Sequence, residues 1–487
     1  MVAADVTALV RERMTETIPS PSPRNHIIRE LPEPARFNLV HIITGMRRCG
    51  KTFYLFQLMQ SLLAKGVRRE RMLHFDFSDE RLKPLDRNIM QAIVEEYWRQ
   101  VPEAREQGCY LFLDEVQEID EWQGFCQRIA EQETVTLVIT GSSSKVSSSE
   151  IASSFRGRSH VHEMWPLSFA EYCSFNGIAI PDAEQTAFSP REATRYESAF
   201  DDYLQWGGFP GIQQRPIGDR IELLQGYVRD VVARDVAERS GRGDISLTMQ
   251  LALFAIRNTA CELSSNDLSK RLTELGYKAY WNKVTKLLEL LQQAYLIHYL
   301  PEYTTMLKPN TTALPKVYAE DHGLAMAVSR ANQQDHGKRL ETLVYLELRR
   351  RFSGRRTDAI SSLSVPDSSN AKVDFITGDA LGLDPYELIQ VCFDMSAERT
   401  KRREIGSLEA GMRFTHLSEG LVLTLREEGV VQTDAGTVRI MPTWKWCLLP
   451  HEFTEGRAQD WDLREQQAQQ VYVHLLKSGA CHTGVAC

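Results

Sequence analysis

The sequence predicts a multidomain α/β protein organised on a parallel sheet, and three observations carry that prediction. A glycine loop, Gly45-Met46-Arg47-Arg48-Cys49-Gly50-Lys51-Thr52, lies between an apolar run and a helical pattern. A second apolar run, Tyr110-Leu111-Phe112-Leu113, is closed by two acids, Asp114 and Glu115. A third, from Thr134 to Thr140, ends in Gly141 and a run of serines. Near-continuous apolarity marks strands buried on both faces, as in a parallel sheet.

The chain has 487 residues, enough for about two to four domains. Apolar residues make up 43% and charged residues 25%, a globular composition, and the formal charge of −8 does not advertise a nucleic-acid binder, although a local basic face is allowed. Nine cysteines are scattered without a C-x-x-C pair, so reduced thiols in the cytoplasm are expected rather than disulfides or a zinc site. No apolar leader follows Arg11, Glu12 and Arg13, and no stretch suits a bilayer, so no membrane partner is expected.

Taken in order, residues 1–37 are polar, with prolines at 19, 21, 23, 32 and 34, and read as a short helix and an irregular strap. Residues 38–44 read as the first buried strand. The loop Gly45 to Thr52 then fits G-x-x-x-x-G-K-[ST], and Leu55, Leu58, Met59, Leu62 and Leu63 follow at helical spacing. Glycines let backbone N–H groups turn inward around phosphate oxygens, and the helix N-terminus adds partial positive charge. All eight loop residues are therefore candidates to bind ATP, with Lys51 on the β- and γ-phosphates and Thr52 on Mg²⁺.

Arg71 to Phe77 reads as a second strand with Leu73, Phe75 and Phe77 on one face, and Ile89 to Trp98 as an amphipathic helix. At the end of the next strand Asp114 is placed for the Mg²⁺ shell and Glu115 to deprotonate a water; alone, such an acid pair would read as a helix N-cap. Ser142, after the following strand, can sense the γ-phosphate or serve only the turn. Arg156 and Arg158 in Phe155-Arg156-Gly157-Arg158 can stabilise a transferring phosphoryl group, in this chain or a neighbouring subunit, or form surface ion pairs.

These segments together with Leu113-Asp114-Glu115-Val116-Gln117, Trp165 to Tyr172, Tyr203 to Pro210 and Tyr227 to Val232 resemble the prokaryotic AAA-type P-loop ATPases that carry a C-terminal domain of unknown function. The resemblance spans nearly the whole chain. It implies an ATPase core, a winged-helix segment and a restriction-endonuclease-like terminal domain.

Residues 167–242 read as helical, broken at Gly207-Gly208-Phe209-Pro210. Three helices are expected between Leu251 and Leu300. Ser264 to Asp267 cap one from Asp267 to Leu275, Gly276 turns the chain, and Lys278 to Ala294 forms another with Val284, Leu287, Leu288 and Leu291 inward. Residues 295–298 and 316–318 are candidate wing strands. Lys278, Asn282, Lys283 and Lys286 could meet DNA phosphates or a major groove, or the unit could serve packing. Beyond it, Glu341, Asp374 and Gln390 resemble a restriction-endonuclease-like site, but Cys392 stands where a lysine belongs and Gln390 is a poor metal ligand, so a degenerate nuclease fold is expected. A last helix is read from Leu463 to Lys477.

The domain expectation is thus a lead-in (1–37), an ATPase core (38–166), a helical segment (167–242), a winged-helix-like domain (243–330), a nuclease-like domain (331–460) and a C-terminal tail (461–487). The functional expectation is a Mg²⁺-dependent ATPase that moves its C-terminal regions. A nucleotide-gated DNA-binding or scaffold protein and an ATP-controlled nuclease are the alternatives. ATP, DNA, a protein and a second copy of the chain are the candidate partners.

Overall fold

The computed structural model describes residues 3–22, 24, 28, 30–83, 86, 88–141, 155, 157–182, 185, 187–240, 245–304, 314–328, 335–352, 359–366, 371–378 and 387–449. Ser142, Arg156 and the helix expected from Leu463 to Lys477 lie outside these residues. The elements below belong to the unit formed by the described parts of 1–180 and 188–447.

Five parallel strands form the first sheet: β1 (Val40–Thr44), β2 (Met72–Asp76), β3 (Cys109–Asp114), β4 (Val135–Thr140) and β5 (Ser159–Glu163), in the order β2-β3-β4-β1-β5. Both faces are covered, which is why four of the strands are apolar almost throughout. Val40, Ile42, Leu73, Phe75 and Phe77 share one core with the helices Ala3–Thr15, Ile89–Gln100 and Trp122–Gln132. On the other face Ile43, Tyr110, Phe112 and Val138 pack under Tyr54, Leu55 and Leu58 of the helix Lys51–Ala64. Strand β5 was not foreseen. It is an edge strand whose His160 and His162 break the apolar pattern by which the other four are recognisable.

The helical segment comprises Phe169–Phe175, Pro190–Trp206 and Ile217–Asp230, the last running into a π-helical turn, Val231–Val236. The break at Gly207 is required by close approach. Gly207 has φ +85, and a Cβ there would lie 1.7 Å from Asp321 Oδ1. Asp321 in turn accepts from the Gly208 and Gly323 amides at 2.7 and 2.8 Å.

Next come helices Ile245–Arg257, Ser265–Glu274 and Trp281–Gln293, with a three-stranded antiparallel sheet of β6 (Cys261–Glu262), β8 (Lys316–Ala319) and β7 (Ile297–Leu300), in that order. Val284, Leu287, Leu288 and Leu291 are buried as expected. Two boundaries differ. Ser264 caps its helix by accepting from the Asp267 amide at 3.2 Å, so the helix starts at Ser265. The next helix starts only at Trp281, which leaves Lys278 in the preceding turn rather than on the helix.

The last sheet has six strands: β9 (Ile360–Ser364), β10 (Lys372–Thr377), β11 (Glu387–Cys392), β12 (Glu419–Thr424), β13 (Gly429–Thr433) and β14 (Gly436–Pro442), in the order β13-β14-β12-β11-β10-β9. Helix Glu398–Thr415 packs on it through Leu408 and Met412. Helix His336–Arg351 reaches back to the first sheet, where Arg349 Nη2 donates to Glu163 at 2.6 and 2.8 Å and Arg350 Nη2 to the Pro166 carbonyl at 3.1 Å.

Candidate nucleotide site

The glycine loop leaves the carboxyl end of β1 and turns into the helix that begins at Lys51. The turn needs glycine at both ends. Gly45 has φ +140 and a Cβ there would fall 2.1 Å from the Met164 carbonyl oxygen, while Gly50 has φ +104. The Lys51 side chain is buried and its Nζ donates to the carbonyls of Gly45 and Met46 at 3.0 and 3.2 Å. Its ammonium therefore sits inside the curl of the loop, where a phosphate oxygen would meet it.

The loop is held from two sides. From the N-terminal strap, Arg24 donates to the Cys49 carbonyl at 2.9 Å and the Trp165 carbonyl at 2.8 Å, and pairs with Glu171 at 2.9 Å. From the helical segment, Asp235 accepts Arg47 Nε at 3.0 Å on both oxygens, and Asp230 stands 3.8 Å from Arg48. Met46 is fully buried in the core of the helical segment, not in that of its own sheet.

Strand β4 lies between β1 and β3, so its tip fills the gap between the loop and the acids. The residue there is Thr140. Its hydroxyl donates to Asp114 Oδ1 and accepts the Glu115 amide at 3.1 Å. Asp114 is completely buried, and its Oδ2 makes no hydrogen bond among the described residues; His74 Nε2 stands 3.9 Å from it. Burial pushes the Asp114 pKa up, but His74, Thr140 and Thr52 favour the charged form and together hold it below the ordinary carboxylate value. A buried, ionised carboxylate with one free oxygen near a threonine hydroxyl fits a hard divalent cation such as Mg²⁺.

Glu115 occupies a left-handed conformation, φ 52 and ψ 44, which strains a residue with a Cβ. It is half-buried, and its Oε2 accepts from the Gln117 amide. It lies close enough to Arg47 and Asp235 to act on the charge of both.

The arrangement thus brings together Gly45 to Thr52, Asp114 and Glu115. It does not bring Arg158. That residue precedes β5 at the amino end of the sheet, where its carbonyl accepts the Val40 amide at 3.1 Å, while the glycine loop follows the carboxyl end. Arg158 is exposed and pairs with Glu131 at 2.6 Å, so within this chain it is a surface ion pair and not part of the nucleotide site. Thr140, His74 and Asp235 were missed. Thr140 was within reach as the last residue of a recognised strand; Asp235 is 188 positions from Arg47 and carries no local signal.

The nuclease-like residues also converge, with an addition. Lys316 of β8 places its ammonium 2.9 Å from Glu341 and 3.0 Å from Asp374, and the Tyr318 hydroxyl donates to Glu341 at 2.8 Å. Gln390 accepts the Asp374 amide at 3.2 Å and donates to Glu404 at 2.7 Å. A cationic side chain therefore lies between Glu341 and Asp374, and it comes from a strand of the preceding sheet and not from position 392. Lys278 and Lys286 are exposed and Lys283 half-exposed, next to Tyr280 and Trp281, which are 70% and 54% exposed.

Residues 38–173 match the family described as an AAA domain, and residues 197–335 a domain of unknown function (DUF8612). The uncharacterized protein MJ1544 of Methanocaldococcus jannaschii is 30% identical over 420 residues, covering 84% of this chain and 88% of that one. An uncharacterized protein of Haemophilus influenzae is 25% identical over 373 residues, covering 76% and 87%. Among solved structures, the Walker-type ATPase PABY2304 of Pyrococcus abyssi aligns at 13% identity over 59% of this chain and 90% of that chain, with a TM-score of 0.35. Aeropyrum pernix ORC1, solved in complex with DNA, aligns at 15% identity over 69% and 93%, with a TM-score of 0.28. Overlaps of this size carry nothing about function.

Proposed function

We propose that this chain, which belongs to the same family as MJ1544 and carries an AAA-type P-loop core, binds and hydrolyses ATP with Mg²⁺. The observation that carries the reading is the buried Asp114 carboxylate, with one oxygen free of hydrogen bonds among the described residues, set across the Thr140 strand tip from the loop of Lys51 and Thr52. Lys51 exchanges its two carbonyl partners for phosphate oxygens. Thr52 and Asp114 hold the Mg²⁺ shell, and the ion, when bound, neutralises charge on the phosphates. Glu115 takes the proton of the attacking water. Thr140 fixes Asp114 and the Glu115 amide. Arg158, at the amino end of the sheet, can complete the site only from a neighbouring copy. The lid is the helical segment, because Arg47 and Met46 already belong to it.

A second reading, a nucleotide-gated DNA-binding protein, is favoured by one surface. Three helices with a small antiparallel sheet suit a winged helix, and the N-terminus of its last helix exposes Tyr280 and Trp281 beside Lys278, Lys283 and Lys286. Aromatic faces among cations suit nucleic acid. A metal-dependent nuclease has no comparable support, since the Lys316 ammonium already takes the place between Glu341 and Asp374 where a metal would sit.

The test is ATP turnover by the purified chain with Mg²⁺, with and without duplex and single-stranded DNA, beside Lys51→Ala and Glu115→Gln. Turnover lost in Glu115→Gln, with ATP still bound, is expected, as is loss of tight ATP binding in Lys51→Ala. Turnover that survives Glu115→Gln would remove the general-base assignment. Unchanged ATP affinity in Lys51→Ala would remove the P-loop assignment. Stimulation by DNA would assign the exposed aromatic and basic surface to nucleic acid; indifference to DNA would leave a protein as the partner.

A further inference from the structure

Three histidines converge on the first sheet, away from the glycine loop. His41 of β1 and His160 of β5 are register partners across the parallel pair, and His162 lies two residues on, on the same face of β5. His41 Nδ1 and His162 Nε2 are 3.1 Å apart, and the His160 and His162 ring centroids 4.2 Å apart. One nitrogen from each ring lies within 4.8 Å of the other two. We propose that His41, His160 and His162 bind a divalent transition-metal ion of the zinc class.

The geometry supports this directly. A tetrahedral ion with Zn–N bonds of about 2.0–2.1 Å holds its nitrogens about 3.3 Å apart. The His41–His162 pair already has nearly that spacing. Both rings are buried, whereas His160 is exposed, so the third ligand can turn to close the site and the ion has a path from solvent. Three imidazoles select a borderline-soft ion and not Mg²⁺, so this site is chemically distinct from the one at Asp114.

The molecule offers an internal contrast. Glu163, His298 and Glu320 also bring three ligand atoms together, but Arg349 donates to Glu163 at 2.6 and 2.8 Å and stands 3.9 Å from Glu320. That cluster already holds a cation. Within the histidine cluster, the hydroxyl of Thr44 donates to the His162 carbonyl at 3.4 Å, one residue before the glycine loop. A bound ion would therefore clamp the edge strand to the strand that carries the loop.

The experiment strips the 487-residue chain with EDTA and titrates it with Co²⁺, followed in the visible, then with Zn²⁺ as competitor. One equivalent of Co²⁺ is expected to give the intense bands of a tetrahedral site, displaced by Zn²⁺. His160→Ala should weaken Co²⁺ binding by at least about tenfold without changing the metal-free melting temperature, because the ring is exposed. Asp114→Asn should leave the bands unchanged. The proposal is overturned if the parent gives no bands, if His160→Ala binds as tightly as the parent, if Asp114→Asn abolishes the bands, or if they show thiolate charge transfer.

Discussion

Arg47, inside the glycine loop, donates from Nε to both carboxylate oxygens of Asp235, at 3.0 Å each, on the π-helical turn of the helical segment. Single-turn π-helices recur where a helix serves a site, and here the turn delivers one carboxylate to the phosphate-binding loop. The two ends of this pair are unequal: the Asp235 side chain is 2% exposed and that of Arg47 is 22% exposed. Removing the arginine strands a buried carboxylate, whereas removing the aspartate leaves a cation that water can reach. Arg47→Ala should therefore cost about 3 kcal/mol and Asp235→Ala nearer 1–2 kcal/mol. Urea unfolding of both variants checks the order; equal costs would show that the difference in exposure does not set the cost, and two costs near zero that the pair contributes little.

Lys316 joins two sheets through two acids. Burial, and then Asp374, push the Glu341 pKa up, while Lys316 pulls it back. Lys316→Met leaves two carboxylates together in a half-buried place and should destabilise by about 2–3 kcal/mol. Adding Glu341→Gln should recover part of that loss, because one of the stranded charges is then gone. A double variant no more stable than Lys316→Met in a thermal melt would place the cost in packing instead.

Gly207 has no room for a side chain. Its Cβ would meet Asp321 Oδ1 at 1.7 Å in a left-handed backbone, so Gly207→Ala should cost upwards of about 2–4 kcal/mol. Gly218 is the control: nothing lies within 4 Å of its Cβ position, and Gly218→Ala should be neutral or stabilising by up to roughly 0.5 kcal/mol. Denaturation midpoints of the two variants should move in opposite directions or differ strongly in size.

His322 is buried, and its Nε2 donates to the Tyr203 carbonyl at 2.7 Å. Burial pushes its pKa down to about 3, so the folded ring stays neutral where the unfolded one takes a proton. Its contribution is full above the unfolded value of about 6.5 and drains away as pH falls towards 3. Stability of the parent should drop between pH 7.5 and 5, and less steeply in His322→Gln. Parallel slopes for the two proteins would assign the acid sensitivity elsewhere.

Much of the first sheet was legible because its strands are buried on both faces and so read as apolar runs. The loop residues and Asp114 were legible because their spacing and context are local. Several of the misses share one cause, that the partners are distant in sequence. Arg158 sits close to the site in sequence order but at the opposite end of the sheet, a fact set by strand direction and not by composition. Lys316 reads as part of a wing strand, and nothing near it announces that it faces Glu341 and Asp374, 25 and 58 positions on. Tyr280 and Trp281 were passed over because aromatic residues next to an apolar helical stripe usually belong to the core, and these are exposed.

Met46 has a consequence for regulation. It belongs to the phosphate-binding loop by sequence and to the apolar core of residues 206–328 by packing. A change in the path of the loop therefore works against that apolar core without any relay of charges. Linkage makes this reciprocal: whatever free energy nucleotide spends in tightening or loosening that core, a ligand of the core returns as altered nucleotide affinity. A partner seated on the distant helices would thus set how tightly the chain holds ATP while touching none of it, and the loop would act as the receiver of that signal as well as its source.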